Sequence, residues 1–207
     1  MAVQQYDELN DIQIDVLREI GNIGVGNTAT ALSKLLSQTV DITVPSVRIL
    51  SFEETINALG GPEVVSVGIL ANMSGDVSGM IMFILEQSFA HIALNILMGK
   101  NVTSYEELTE MDYSAIAEIG NIMAGSYVSA ISSLTNFFIN ISVPSVCIDM
   151  LGALMSVPAI EYSKIGDKVL LIEGSFLGEG QTVTSRTLLI PEMESLNKIL
   201  TCLGIPV

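Results

Sequence analysis

The chain has 207 residues, with 8 Lys+Arg against 23 Asp+Glu and a formal net charge of −15, so it lacks the basic footprint that nucleic-acid phosphates require. Hydrophobic residues make up 49% and charged residues 15%, which supplies a core and excludes the composition of a disordered chain.

A mean hydropathy of +0.56 raises the question of a membrane, yet no run approaches the ~18 uninterrupted apolar residues of a spanning helix. The longest, such as 80–85, are strand-sized. The opening MAVQQYDELND has neither the basic nor the apolar part of a secretory signal, and the expected location is the cytoplasm. Cys147 and Cys202 are too few and too far apart for a disulfide framework or a metal knuckle, and read as free core thiols. The single histidine, His91 in FAHIALNILMG, reads as a partly buried helix residue, which argues against a Ser-His-Asp triad. No phosphate-binding loop, GxGxxG, HExxH or CxxC occurs. Bound nucleotide, dinucleotide and zinc thus lack support, no cofactor of the chain's own is expected, and any catalysis must use carboxylates and amides.

In chain order, Asn10 is a good N-cap for a long helix whose apolar residues Ile12, Val16, Ile20 and Ile23 recur at helical spacing and are expected to face a sheet. A strand is expected to begin near Pro45, and two more over 64–71 and 77–85. A short helix over 88–98 stops at Gly99, and a short polar connection over 100–108 follows, read as a hinge point between the repeats. Thr109 then caps a second long helix, with Asp112 completing a capping box. Strands are expected near Pro144 and over 168–177 and 182–190. A last helix enters at Pro191 and stops at Gly204.

This order repeats because the sequence does. Residues 15–47 align without a gap on residues 114–146 at an offset of 99, with 14 of 33 positions identical, including all of Glu-Ile-Gly-Asn-Ile and Val-Pro-Ser-Val. The chain therefore reads as an α/β (α+β) fold of two pseudo-symmetric halves, about 7–100 and 106–207, each helix, three strands, helix. Three antiparallel strands alone leave two edges to protect, and joining the halves removes one from each. The expected result is one domain with a continuous, mainly antiparallel sheet and helices packed on it.

Asp15, Glu19 and Asn22 stand at i, i+4 and i+7 of the first long helix, within about 60° of one another. Ser114, Glu118 and Asn121 do the same in the second. Both stripes are offset by roughly 100° from the apolar one and are expected to face solvent. Asn and the neighbouring Gly21 and Gly120 are poor helix formers, Gly costing about 1 kcal/mol relative to Ala. Yet both halves keep Glu-Ile-Gly-Asn-Ile while Arg18 faces Ala117 and Gly24 faces Met123 across the alignment. Close packing competes with function as the reason for Gly21 and Gly120. Gly26 and Gly125 lie on nearly the azimuth of the stripe and would let another macromolecule approach.

Asp or Ser, three residues, Glu, two residues, Asn, twenty-two residues, Pro is met by Asp15-Glu19-Asn22-Pro45 and again by Ser114-Glu118-Asn121-Pro144. The pattern resembles that of the CheC-type phosphatases of bacterial chemotaxis, in a superfamily with CheX and FliY, and the resemblance spans essentially the whole chain. Two motif copies are similar to CheC, whereas CheX carries one and FliY has additional segments. The resemblance implies hydrolysis of the aspartyl phosphate on the response regulator CheY. Asn22 and Asn121 would orient the attacking water, and Glu19 and Glu118 would pair with the regulator's lysine. Asp15, Ser114, Pro45 and Pro144 would support the site. It implies Mg²⁺ on the regulator and none on this chain, and binding to the receptor deamidase CheD. A non-catalytic adaptor for CheD or CheY, or a FliY-like flagellar switch phosphatase, are the alternatives. A monomer is expected, because the duplication already supplies two-fold pairing.

Overall fold

The computed structural model describes residues 2–37, 41–42, 46–100, 102, 104–162, 168–178 and 181–207. After a turn of 3-10 helix (Tyr6–Glu8), the first half runs α1 (Asp11–Leu36), β1 (Asp41–Ile42), β2 (Ser46–Ser51), α2 (Phe52–Ala58), β3 (Val65–Gly75), β4 (Gly79–Leu85) and α3 (Gln87–Met98). The second half repeats it: a 3-10 turn (Tyr105–Glu107), α4 (Glu110–Thr135), β5 (Ile139–Ile141), β6 (Ser145–Met150), α5 (Leu151–Tyr162), β7 (Lys168–Gly178), β8 (Gln181–Pro191) and α6 (Met193–Cys202).

Each half thus holds a helix (α2, α5) and a short strand (β1, β5) beyond the expected helix, three strands, helix. For α2 a local signal exists. The Ser51 hydroxyl accepts the Glu54 N–H at 3.0 Å and the Glu54 carboxylate accepts the Ser51 N–H at 2.8 Å, a capping box written in the sequence as SFEE. For α5 there is none: LGALMSVPAIEY is apolar all round and holds Pro158, so no periodicity marks it.

The strands form one antiparallel sheet in the order β1-β7-β8-β4-β3-β5, with β2 also on β7 and β6 also on β3. Continuity was expected, but the halves are joined by exchange. β2 of the first half pairs with β7 of the second (Val47 opposite Ile172), and β6 of the second pairs with β3 of the first (Val67 opposite Ile148). The two hairpins meet at β4 and β8, with Phe83 opposite Thr187.

Helices α1, α3, α4 and α6 cover one face of the sheet and α2 and α5 the other. β4 is buried on both sides, Ile81, Phe83 and Leu85 entering one core and Met80, Met82 and Ile84 the other, which is why it reads as an unbroken apolar run. α1 lies against α4, and a Cβ on Gly24 would stand 2.5 Å from the Tyr127 ring. Tyr127 is 1% exposed, donates its hydroxyl to Thr187 Oγ1 at 3.1 Å, and its ring lies 5.9 Å from that of Phe83. Burial pushes its hydroxyl pKa upward.

Several expectations are corrected. The buried face of α1 is formed by residues such as Gln13, Leu17, Ile20, Gly21, Val25 and Leu32; Ile12 is exposed, and Val16 and Ile23 are only partly covered. Cys147 and Cys202 are free but exposed, on edge strand β6 and the last turn of α6, so they are not core thiols. Pro191 closes β8, and α6 begins two residues later behind Glu192. The connection at 100–108 is anchored: Val102 is buried, and the Lys100 ammonium pairs with the buried carboxylate of Asp112. Gly99 and Gly204, the expected helix exits, have left-handed φ values of +60° and +76°. Among the described residues no helix is long and apolar enough to cross a membrane.

Candidate active site

Both long helices start from capping boxes. The Asn10 side chain accepts the Gln13 N–H and the Gln13 side chain accepts the Asn10 N–H, each at 3.0 Å. At α4 the Asp112 carboxylate accepts both the N–H and the hydroxyl of Thr109 at 2.7 Å. Lys100 beside it, together with these bonds, holds the Asp112 carboxyl down to a pKa of about 2. The helices that carry the candidate residues are therefore fixed at their first turns.

On α1, Asp15, Glu19 and Asn22 are exposed; on α4, Ser114, Glu118 and Asn121 are exposed. Among the described residues neither glutamate is in an ion pair and neither asparagine side chain is hydrogen-bonded. The first position differs in chemistry: Asp15 Oδ1 accepts from Arg18 at 2.7 Å, whereas Ser114 turns its hydroxyl back to the Glu110 carbonyl at 2.9 Å. A Cβ on Gly26 or Gly125 would meet nothing within 4 Å. Open space thus flanks each amide, as the sequence suggested.

In the second copy the structure gathers the whole motif. Ser114, Glu118, Asn121 and Pro144 line one open cleft of ≈ 410 Å³ together with Ala117, Ile141, Ser142 and Val143. Its outer wall, the segment between β5 and β6, is pinned to β3: the Asn72 N–H donates to Ser142 Oγ at 3.0 Å and the Ser142 N–H to the Asn72 carbonyl at 2.9 Å. Pro144 directly precedes β6, where its missing N–H leaves no gap in the ladder. Pro45 lies outside the described residues. Ile141, Ser142 and Val143 were not singled out from sequence; the one available signal is that they lead into the repeated Val-Pro-Ser-Val. A larger depression of ≈ 520 Å³ beside α6 holds none of the motif residues.

The glycines inside the motif answer a different need. A Cβ on Gly120 would stand 2.3 Å from Ile69 Cγ2, and one on Gly21 would meet Val47 and Ile172 at 3.2 and 3.3 Å. They let α4 and α1 lie close on the sheet, so close packing explains them. Gly120 and Asn121 therefore form a unit: one sets the helix down, the next points away from it.

The fold is thus an α/β sheet of two pseudo-symmetric halves that presents an exposed acid and amide on each of two capped helices. Residues 12–49 and 111–148, again offset by 99, match the CheC-like family. The chain is 34% identical over 203 residues to the CheY-P phosphatase CheC of Bacillus subtilis, covering 96% of this chain and 97% of that protein. It is 36% identical over 145 residues to the flagellar motor switch phosphatase FliY of the same organism, covering 70% of this chain and 38% of that one. The protein belongs to the CheC-like family. Among solved structures, Thermotoga maritima FliY superposes with a TM-score of 0.74 at 25% identity, covering 95% of this chain and 98% of that one. CheX in the Borrelia burgdorferi complex with CheY, BeF₃ and Mg²⁺ shares the fold, with a TM-score of 0.54 at 18% identity over 81% of this chain and 94% of that one.

Proposed function

We propose that the protein accelerates hydrolysis of the aspartyl phosphate of a CheY-type response regulator, with Asn22 and Asn121 as the two water-orienting residues. The observation that carries this reading is an acid and an amide one helical turn apart, exposed twice on capped helices beside open glycine positions and without an ion-pair or hydrogen-bond partner among the described residues. The relatedness to the B. subtilis CheY-P phosphatase supports it.

In phosphoryl transfer the protein contributes chiefly positioning and electrostatic stabilisation. A carboxamide suits this: its oxygen accepts a hydrogen bond from water and its NH₂ donates to a phosphoryl oxygen, adding no negative charge beside the phosphate. The water oxygen attacks phosphorus as the bond from phosphorus to the aspartyl oxygen breaks. Aspartate leaves as a carboxylate, and the protons of water end on inorganic phosphate. Glu19 and Glu118, three residues before the amide and thus on the same helix face, pair with the regulator's lysine and set the register. Mg²⁺ belongs to the regulator, consistent with the metal in the CheX and CheY complex. Asp15, Ser114 and Pro144 frame the contact. The setting is cytoplasmic, the protein monomeric, and CheD a second partner.

Phosphate release from phosphorylated CheY tests the reading. Asn22→Ala and Asn121→Ala each lower the acceleration, and the double variant returns decay to the spontaneous rate, a loss of about 10²-fold or more per site. Binding of CheY or CheD by the wild-type protein without faster decay would make it an adaptor. The relatedness to FliY favours a flagellar address as a second reading; co-sedimentation with flagellar switch complexes distinguishes it.

A further inference from the structure

Three of the exposed large apolar residues flank the two acid-and-amide stripes. Ile12 is 62% exposed and Met111, which stands at the same place in the second repeat, is 65% exposed. Of the positions around them, Tyr6, Glu8 and Leu9 recur as Tyr105, Glu107 and Leu108, whereas the next residue changes from Gln13 to Asp112. Each residue precedes its glutamate by seven positions, so it shares that glutamate's azimuth to within about 20° and lies about 10 Å toward the helix N-terminus. Across the second cleft, Val143 on the pinned wall is 87% exposed. By the offset of 99 its counterpart is also valine, Val44, which lies outside the described residues.

Single exposed apolar residues need no explanation; a pair kept at one register of two diverged repeats, flanking an acid and an amide, does. The charge balance supplies a reason. At −15 the protein exerts no long-range attraction on a phosphorylated partner. Affinity has to come from short-range burial around the polar centre, the arrangement in which a few buried side chains carry most of the binding energy.

We propose that Met111 and Val143 in the second copy, and Ile12 in the first, are apolar anchors on which the receiver domain seats while Glu and Asn enter its phosphorylation site. The assignment rests on the phosphatase reading and adds docking residues outside the acid-and-amide motif. The anchors act on binding of the receiver and not on the chemical step.

The test uses the 207-residue chain carrying Asn22→Ala, so that only the second site turns over. Phosphate release from phosphorylated CheY is measured for this parent and for Met111→Ser, Val143→Ser, the double variant and Met111→Leu. Calorimetric binding of beryllofluoride-activated CheY is measured in parallel. The double variant raises KM and weakens binding about tenfold or more, the effect of losing burial of two such side chains. Its kcat stays within about twofold, while Met111→Leu, which keeps the apolar volume, behaves as the parent. Both positions are exposed, so urea unfolding midpoints stay where they are. Unchanged KM and binding in the double variant, or a fall in kcat alone, overturns the anchor assignment while leaving the phosphatase reading intact. Absence of any acceleration by the wild-type chain overturns both.

Discussion

Gly120 and Gly125, five residues apart on α4, meet opposite surroundings. The first has Ile69 at 2.3 Å from where a Cβ would stand, and the second has open space. Gly120→Ala gains helix propensity of about 1 kcal/mol but forces Ile69 out of a packed position, and a net loss of about 1–3 kcal/mol is expected in urea unfolding. Gly125→Ala keeps the propensity gain, so it raises stability in urea unfolding by up to about 1 kcal/mol, while on the proposed docking its new methyl meets the receiver and lowers kcat/KM for phosphorylated CheY. Opposite signs for stability and activity in one variant mark a surface kept bare for a partner. In the sequence Gly21 and Gly120 admit either packing or function. Spacing placed Gly26 and Gly125 on the stripe, but only the sheet beneath α1 and α4 separates packing from access.

At the scale of elements, the two long helices were legible because both ends of the argument are local. Asn10 and Thr109 start them, and a stripe of polar residues continues them. The buried face starts at Gln13 and not at Ile12: Gln13, polar in sequence, is tolerated there because its side chain donates to the Pro206 carbonyl at 2.7 Å, a partner 193 residues away. The start of α4 also makes stability depend on pH. Asp112 is held at a pKa of about 2 by Lys100 and Thr109, below its ordinary value near 4. A depressed carboxyl contributes stability above its unfolded pKa and loses it as pH falls through the folded one. The wild-type urea midpoint therefore drops between about pH 4 and pH 2 more steeply than that of Asp112→Asn, which cannot ionise. Parallel slopes in the two proteins would remove Asp112 from the account.

For the whole molecule, the exchange of edge strands has the largest consequence. β2 lies on β7 and β6 on β3, so a separated half loses a partner strand from its hairpin as well as the β4 to β8 seam. Tyr127 of the second half fills the space left by Gly24 of the first. Each half made alone, cut near residue 104, is expected to unfold without a cooperative transition in urea monitored by circular dichroism; the two mixed should recover both the transition and CheY-P hydrolysis. A half that unfolds cooperatively as a monomer would contradict the role given to the exchange.

The duplication, the capped helices and the outward stripe of Glu19, Asn22, Glu118 and Asn121 were determined by the sequence alone. Helical periodicity and capping act over a few residues, and a repeat is visible without coordinates. Tertiary structure decided the rest. It set which half each edge strand joins, that Gly120 rests on Ile69, that Pro144 and Val143 stand across a cleft from Asn121, and that Ile12 faces outward. These are contacts between residues far apart in the chain, and no local pattern encodes the partner that a side chain meets after folding.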